Sequence, residues 1–259
     1  MHAHFVLAHP EPKSFNAHLV RTGDETLRAQ GWTTTVSNLY AMGFDPCERA
    51  DHYRDRVNPD RFDPQAEQRH ASETGTLPRV VAEELERLDR ADLVILQYPM
   101  WWHLPPAIMK GWFDRVWAYG AAYTSVKRFE DGRFVGKRAM LSITVGTSRE
   151  TYGYDGRSGD IDLMLWPVNF NLAYAGFTVL QSFVAYGVEA GLRYSDPTQI
   201  ENRLATVTRD FRLVLHDGAS ARATIPFNRK ADWGADGRIA SDAPVFSPFI
   251  RHRKAIDLT

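Results

Sequence analysis

Short apolar runs alternate with longer amphipathic stretches along most of the chain. The apolar runs predict strands at residues 4–8, 92–97, 137–145 and 177–186, and alternation of apolar and polar residues predicts another strand at 32–39. Between and after them, apolar positions recur at the spacing of a helix turn. This spacing predicts helices at residues 14–30, 77–91, 105–118, about 160–174 and 197–216. Strands that alternate with helices in this way are typical of parallel βαβ units.

The detail inside these segments supports the same interpretation. Ser14 is a plausible N-cap for the first helix, and Gly31 lies just past its end. Val81, Leu85 and Leu88 belong to an apolar stripe with a period close to that of a helix. The buried strands are almost continuously apolar, as expected where helices cover both faces of a sheet. We therefore expect an α/β protein with a doubly wound, five-stranded parallel sheet.

Two segments break the pattern. Residues 58–76 are polar and contain Pro59 and Pro64, which predicts an irregular surface segment. Residues 219–259 have scattered proline, glycine and aspartate, yet they keep large apolar residues in which a disordered tail would be poorer. We therefore expect a main domain at 1–218 and an ordered C-terminal arm at 219–259, packed on its own domain or on a partner subunit.

Composition narrows the class of protein. The formal net charge of −1 argues against a nucleic-acid surface, because phosphate binding needs an excess of basic residues. The single cysteine, Cys47, excludes an intrachain disulfide and fits a reducing compartment. No leader-like segment precedes the first strand, and no stretch reaches the roughly 20 apolar residues of a membrane span. These properties predict a soluble, cytoplasmic protein.

Residues 97–117 are the most unusual stretch, because they contain four of the seven tryptophans. The loop at 98–103, between the third strand and its helix, carries aromatic rings with no evident core to fill. Loops at the carboxyl ends of strands are where ligands bind in open α/β sheets. Flat rings in such a loop suit a flat ligand.

Two other loops are candidates for ligand binding. Residues 8–16 follow the first strand, where α/β proteins hold phosphates on backbone N–H groups, although Ser14 can equally serve as a simple helix cap. Residues 144–148 follow the fourth strand and offer small hydroxyl side chains and a glycine. The chain has no glycine-rich Rossmann or Walker A motif, no metal-ligand spacing of histidines and no G-x-S-x-G sequence.

Several ordered segments resemble the NAD(P)H:quinone oxidoreductase family of flavodoxin-like flavoenzymes. These segments are LAHPEPKSFN, LYAMGFDP, ADLVILQYPMWW, LPPAIMKGWFDRVW, KRAMLSIT and GDIDLMLWPV, and they span about residues 4–190. The resemblance implies a flavodoxin-like fold and a noncovalent flavin, FAD rather than the alternative FMN, with its adenosine end near residues 193–203. It also implies a homodimer with active sites at the subunit boundary, where helix 105–118 and the arm would form interface.

The resemblance further implies roles for individual residues. Those around the flavin phosphate and ribitol would be His9, Ser14, Phe15 and Asn16. Those along the flavin ring would be Pro99, Met100, Trp101, Trp102 and His103 on one side, and Thr144, Val145, Gly146 and Thr147 on the other. The acceptor pocket would include Trp102, His103, Tyr123 and Ser125. Tyr152 would contact the flavin and act as the catalytic residue.

The implied reaction is a ping-pong transfer of two electrons from NADPH or NADH through the flavin to a quinone. Negative charge develops near the pyrimidine edge of the ring, where the Tyr152 hydroxyl would stabilise it. The chain departs from the family at three places. Ser158 replaces a histidine, Ser125 replaces a tyrosine, and residues 144–147 differ from a Thr-Thr-Gly-Gly turn. Because serine cannot become cationic at neutral pH, Tyr152 would act alone, or the reduced flavin would rely on backbone donors.

Three other functions are compatible with the same residues. A flavin-dependent azo or nitro reductase would keep the cofactor and change the flat, conjugated acceptor. A flavin-binding regulatory subunit of a membrane transporter would act through a partner and need not turn over quinones. A one-electron flavodoxin carrier fits less well, because such carriers are typically shorter and acidic and lack an aromatic pocket for nicotinamide.

Overall fold

The structure, a computed structural model, describes residues 1–189 and 195–253. Its five strands are β1 (His2–Leu7), β2 (Thr33–Asn38), β3 (Leu93–Pro99), β4 (Arg138–Thr144) and β5 (Thr178–Ala185). Its α-helices are α1 (Phe15–Ala29), α2 (Pro64–Thr74), α3 (Arg79–Arg90), α4 (Ala107–Val116), α5 (Ile161–Tyr174) and α6 (Pro197–Val214). The strands form one parallel sheet in the order β2-β1-β3-β4-β5. The prediction of a doubly wound, flavodoxin-like sheet is confirmed.

The sheet separates two apolar cores. Successive residues of β3 contribute to opposite sides, with Val94 and Leu96 in one core and Leu93 and Ile95 in the other. Helices α3, α4 and α5 cover the first core, and α1 and α6 cover the second. Every residue of β3 is buried, as expected for a central strand. Within the described residues, no helix combines the length and apolar composition needed to cross a membrane.

The prediction that residues 58–76 are irregular is wrong, because α2 occupies part of this segment. Asp63 caps the helix, since its side chain accepts from the backbone N–H of Ala66 at 3.2 Å. Pro64 lies in the first turn, where a proline costs no hydrogen bond, and Gly75 ends the helix with φ 70°. The buried face of α2 consists of Glu67, Gln68 and Ala71, so the helix has no apolar stripe to detect.

A dimer contact through the tryptophan-rich helix 105–118 stays a prediction, but its residue Trp112 packs inside its own subunit. Trp112 is fully buried in the first core, and its Nε1 donates to Glu84 Oε2 at 2.8 Å. Ser37 donates to the other oxygen of Glu84 at 2.6 Å, and Arg87 also pairs with this carboxylate. The tryptophan therefore completes a buried polar network within its own subunit, which stabilises the contact between β2, α3 and α4.

His4 joins this network from β1 and makes stability depend on pH. Its Nδ1 lies 2.8 Å from Thr35 Oγ1, and burial, assisted by the charge of Arg87, lowers the pKa of His4 to about 3. The folded chain therefore binds this proton less readily than the unfolded chain, whose histidine titrates near 6.5. Above that pH the His4 contribution to stability is complete, and it is lost as the pH falls from 6.5 towards 3.

We expect the free energy of unfolding to fall by about 2 kcal/mol between pH 6.5 and pH 5 through His4 alone. Urea unfolding of the wild-type chain and of His4→Gln at both pH values measures this effect. The difference between their pH slopes isolates His4 from the other histidines. Equal slopes in the two proteins would show that His4 does not resist protonation.

The described part of the arm lies against the edge of the sheet. Gln181 N donates to Ala223 O, and Ile225 N donates to Val179 O, both at 2.8 Å, so the arm pairs with β5. Farther along, the Phe249 ring stacks on Trp166 of α5 at 4.7 Å between centroids. These contacts protect an otherwise open strand edge. The division of the chain at residue 218 and a role for the arm at a subunit boundary stay predictions.

Candidate functional site

A cleft of about 1090 Å³ lies at the carboxyl ends of β1, β3 and β4. The chain reverses its direction of winding between β1 and β3, which is the position where open α/β sheets bind ligands. Ten of the residues expected around a flavin line this cleft together: His9, Ser14, Phe15, Asn16, Pro99, Met100, Trp101, Thr144, Val145 and Gly146. The remaining walls come from the β1–α1 loop, α1, the segment after β5 and α6.

The β1–α1 loop presents hydrogen-bond donors to the cleft. Ser14 caps α1 by accepting from Ala17 N at 3.2 Å. The N–H groups of Phe15 and Asn16 begin the helix and have no intrahelical acceptor, so they suit an anion. His9 Nδ1 accepts from Glu11 N at 3.0 Å, which leaves the proton of the neutral ring on Nε2. Burial lowers the pKa of His9, so the ring is neutral at pH 7.

A buried amide network fixes the floor of the cleft. Asn16 Nδ2 donates to Thr144 Oγ1 at 3.0 Å, and Asn16 Oδ1 accepts from Gln97 Nε2 at 2.8 Å. Asn16 is therefore held by the ends of β3 and β4 as well as by α1. Gln97 Oε1 is buried and has no hydrogen-bond partner among the residues that the structure describes. Such an orphaned acceptor indicates a place for a donor that the protein does not supply.

The β3–α4 loop is a strained two-residue turn. Trp101 and Leu104 exchange two backbone hydrogen bonds of 3.0 Å, and the residues between them, Trp102 and His103, have φ of 52° and 64°. Side chains in this left-handed region cost roughly 1–2 kcal/mol per residue. The turn keeps its rings out of the core, since Trp102 is 93% exposed and Trp101 is 42% exposed. Strain of this kind is concentrated at functional sites.

The β4–α5 loop separates the cleft from a second cavity. Gly146 lines both, and an added Cβ on it would meet no protein atom closer than the Val188 carbonyl oxygen at 3.9 Å. Thr147 lines only the second cavity, where its Oγ1 lies 2.7 Å from Thr151 Oγ1. This second cavity has a volume of about 750 Å³, and we call it the Arg149 cavity after the guanidinium at its wall.

Six predicted site residues do not line the cleft: Trp102, His103, Tyr123, Ser125, Thr147 and Tyr152. Tyr123 packs edge-on against Tyr174 of α5, and Ser125 lines a separate cavity beside the arm. Tyr152 ends a short 3-10 helix and lies 6.2 Å from the Tyr186 ring. Ser158 donates its backbone N–H to Thr151 O at 2.9 Å, so it closes the loop that carries Tyr152.

Sequence reasoning missed the wall that α6 gives to the cleft. Its members are Glu201, Leu204, Ala205, Thr208 and Arg212, which recur at helical spacing on one face. That mixed polar and apolar face was a usable signal, although only the topology brings it next to α1. His18 Nε2 and Thr208 Oγ1, 3.1 Å apart, join the two helices there. Of the stretch 193–203 expected near an adenosine, Arg193 lies outside the described residues, and Arg203 lines the Arg149 cavity.

Electrostatics in the cleft are mixed. Lys13, Arg21 and Arg212 are balanced by Glu11, Glu189 and Glu201. No group of three histidine, cysteine or acidic side chains suited to a metal ion occurs in the part of the chain that the structure describes. The arrangement can therefore hold a neutral flat ring together with an anionic group at the start of α1.

Comparisons with known proteins give a consistent result. Residues 1–209 match a family described as having a flavodoxin-like fold. NAD(P)H dehydrogenase (quinone) 1 of Cavia porcellus is 40% identical over 185 residues, 71% of this chain and 67% of that protein. Ribosyldihydronicotinamide dehydrogenase (quinone) of Mus musculus is 41% identical over 186 residues, 71% of this chain and 80% of that protein.

Solved structures agree with these relatives. A protein from Klebsiella pneumoniae, provisionally named a quinone reductase, has a TM-score of 0.77 and 35% identity. The similarity covers 90% of this chain and 91% of that one. The NAD(P)H:quinone oxidoreductase from Methanothermobacter marburgensis has a TM-score of 0.61 and 28% identity, over 83% of this chain and 98% of that one.

Proposed function

The chain belongs to the flavodoxin-like family of NAD(P)H:quinone oxidoreductases, and from that premise we propose that it reduces quinones by two electrons with a bound flavin. The observation that carries the proposal is the cleft itself. The N–H groups at the start of α1, the backbone at Gly146 and Trp101 of the turn at residues 101–104, which we call the aromatic turn, all line this one cleft. NADPH or NADH is the proposed hydride donor, and a cytoplasmic location is part of the same proposal.

The residues of the cleft fit a flavin. The open space at Gly146 admits a planar ring against backbone, and the unpaired Gln97 Oε1 can accept from a ligand or its bound water. We favour FAD over FMN, because the cleft continues along α1 to Arg21 and along α6 to Arg212. From Phe15 to Arg21 this is about 9 Å beyond the anion position, a length that FMN leaves unused.

When bound, a flavin supplies hydride acceptance and release, which no side chain of this protein can supply. The chain's own residues bind, orient and exclude water. The N–H groups of Phe15 and Asn16 would hold the phosphate, and His9 Nε2–H would donate to it without adding charge. The buried network of Asn16, Gln97 and Thr144 keeps that loop in register with the strand ends. Trp101 covers one side of the cleft.

The acceptor site is proposed to be completed by a second copy of the chain. Tyr123 and Ser125 lie outside the cleft of their own subunit, and Trp102 is almost fully exposed. A homodimer that sets the 123–125 segment of one subunit over the aromatic turn of the other would enclose a flat acceptor. Enclosure by aromatic rings selects for planarity, so quinones are expected to bind better than saturated carbonyl compounds.

Tyr152 is proposed as the catalytic donor at the edge where negative charge develops. Replacing Tyr152 by Phe removes only the hydroxyl, and loss of one such donor lowers the rate roughly a hundredfold. Stopped-flow reduction of the flavin by NADPH measures the step directly. Tyr154→Phe is the matched control, because Tyr154 is 88% exposed in the same loop. An unchanged rate in Tyr152→Phe would remove this residue from the mechanism.

The function itself is tested on the purified chain. An absorbance spectrum and mass analysis of the released cofactor identify the flavin, and colourless protein that takes up neither FAD nor FMN would end the proposal. Turnover is then measured with simple quinones, azo dyes and nitroaromatic compounds. Faster reduction of an azo or nitro compound than of quinones would identify the protein as an azo or nitro reductase. Turnover that appears only with a membrane transporter present would favour the regulatory role.

A further inference from the structure

The Arg149 cavity is not used by the proposed reaction, although it opens beside the cleft. The two spaces share Gly146 and Glu189, and its remaining wall includes Ser148, Glu150 and Arg203. Because no protein atom approaches a Cβ placed on Gly146 closer than 3.9 Å, a ligand can pass across this glycine from one space to the other. The cavity thus extends the binding surface beyond the ends of β4 and β5.

Its two arginines differ in their partners. Arg203 is already paired within the protein, because its Nη1 lies 3.2 Å from Glu189 Oε1 and donates to Gly187 O at 3.0 Å. Arg149 forms no ion pair with any carboxylate among residues 1–189 and 195–253 and is exposed. It faces Tyr186 at the cavity wall, where burial raises the pKa of the phenol and the Arg149 charge opposes that rise. Arg149 is therefore a cation available to a ligand.

The surrounding groups favour a ligand of mixed character over a simple anion. Glu150 lines the same cavity, with the Ser148 hydroxyl beside it, and these groups suit the hydroxyls of a sugar. A guanidinium suits a phosphate, to which it can donate two parallel hydrogen bonds. A ribose phosphate presents both kinds of group within one short unit. Inorganic phosphate would use only the guanidinium, and an apolar acceptor would use neither the guanidinium nor the hydroxyl-binding groups.

We infer that the Arg149 cavity binds the ribose-phosphate part of the nicotinamide dinucleotide while its reactive ring lies in the cleft, which makes Arg149 a specificity-determining residue for phosphate-bearing donors. This inference rests on the proposed function and deepens it. The flavin's own phosphates are assigned to the other end of the cleft, at the start of α1. A donor without phosphate, such as N-ribosyldihydronicotinamide, gains nothing from Arg149.

The test compares Arg149→Gln with the wild-type chain in flavin-loaded form. Isothermal titration with ADP-ribose, which lacks the reactive ring, is expected to give a Kd about tenfold higher in the variant, as loss of one charge-assisted contact implies. In steady-state assays the KM for NADPH and NADH rises about tenfold with kcat unchanged. The KM for N-ribosyldihydronicotinamide stays the same. Arg157→Gln is the matched control, because Arg157 is exposed in the same loop and lines neither space.

Three results would overturn the inference. They are an unchanged ADP-ribose Kd in Arg149→Gln, an equal rise in KM for the phosphate-free donor, and a weaker affinity for FAD with that for FMN unchanged. The last result would assign the cavity to the flavin. Failure of the proposed function gives a different result. A wild-type chain that binds ADP-ribose through Arg149 but reduces no quinone with any donor would support the ribose-phosphate site and contradict the quinone reductase activity.

Discussion

Gly111→Ala is expected to lower the free energy of unfolding by about 3 kcal/mol, although alanine is the better helix former by about 1 kcal/mol. An ideal Cβ on Gly111 would lie 2.2 Å from the Pro46 carbonyl oxygen and 2.4 Å from Pro46 Cα. Both are backbone atoms, so no side-chain rotation relieves the overlap. Helix α4 would have to move away from the segment at Pro46, which opens the first core around Trp112.

Urea unfolding in flavin-free buffer measures this loss. Gly23→Ala in α1 is the matched control, because its new Cβ would meet the Phe5 ring at 2.8 Å rather than backbone. A ring can shift within the second core, so this substitution should cost less than Gly111→Ala. If Gly111→Ala were as stable as the wild-type chain, the close contact between α4 and Pro46 would be wrong.

Gly146→Leu is expected to leave the free energy of unfolding unchanged and to lower the affinity for flavin, the reverse of the effect expected for Gly111→Ala. Gly146 is not among the described glycines with positive φ, and an added Cβ there has open space. The leucine side chain would extend into the region shared by the cleft and the Arg149 cavity, where a flat ring must lie against backbone. We expect flavin affinity to fall at least about a hundredfold, which is about 2.7 kcal/mol.

Fluorescence titration with FAD measures the affinity, and urea unfolding of the flavin-free protein verifies that stability is unchanged. Gly146→Ala supplies an intermediate, because a single methyl group fills less of the space. Together with Gly111→Ala, the series separates a glycine required for packing from one required for binding. Wild-type flavin affinity in Gly146→Leu would exclude the backbone at Gly146 from the ring site.

The strands were predictable because their signal is local. β1, β3 and β4 are largely apolar and buried on both faces, whereas the edge strand β2 alternates between exposed and buried positions. Every predicted end of the five strands lies within two residues of the observed one. Helix α2 was not predicted, because its buried face consists of Glu67, Gln68 and Ala71. Burial there depends on hydrogen bonds rather than on an apolar stripe. The buried Glu67 carboxylate accepts from Val57 N at 2.9 Å, a contact that no periodic pattern encodes.

The site was predictable only where sequence neighbours share a loop. The segments at His9–Asn16 and Pro99–Trp101 each line one wall, and resemblance to a family pointed to both. Contacts between distant segments were not accessible in this way. The bond from Asn16 to Thr144 joins residues 128 positions apart, and it exists only because α1 starts beside the end of β4. The hydrogen bond from Trp112 to Glu84 was not accessible for the same reason, since Glu84 lies on another helix.

The cleft is assembled from loops that follow β1, β3 and β4 and from one face of α6, segments that meet only after the whole sheet has formed. A ligand bound there consequently recognises the native chain and ignores the unfolded one. At a free concentration one hundred times its Kd, it adds about 2.7 kcal/mol to stability. The lifetime of the protein in a cell that degrades unfolded chains would then follow the supply of that ligand, and scarcity of the vitamin-derived cofactor would reduce the amount of enzyme as well as its activity.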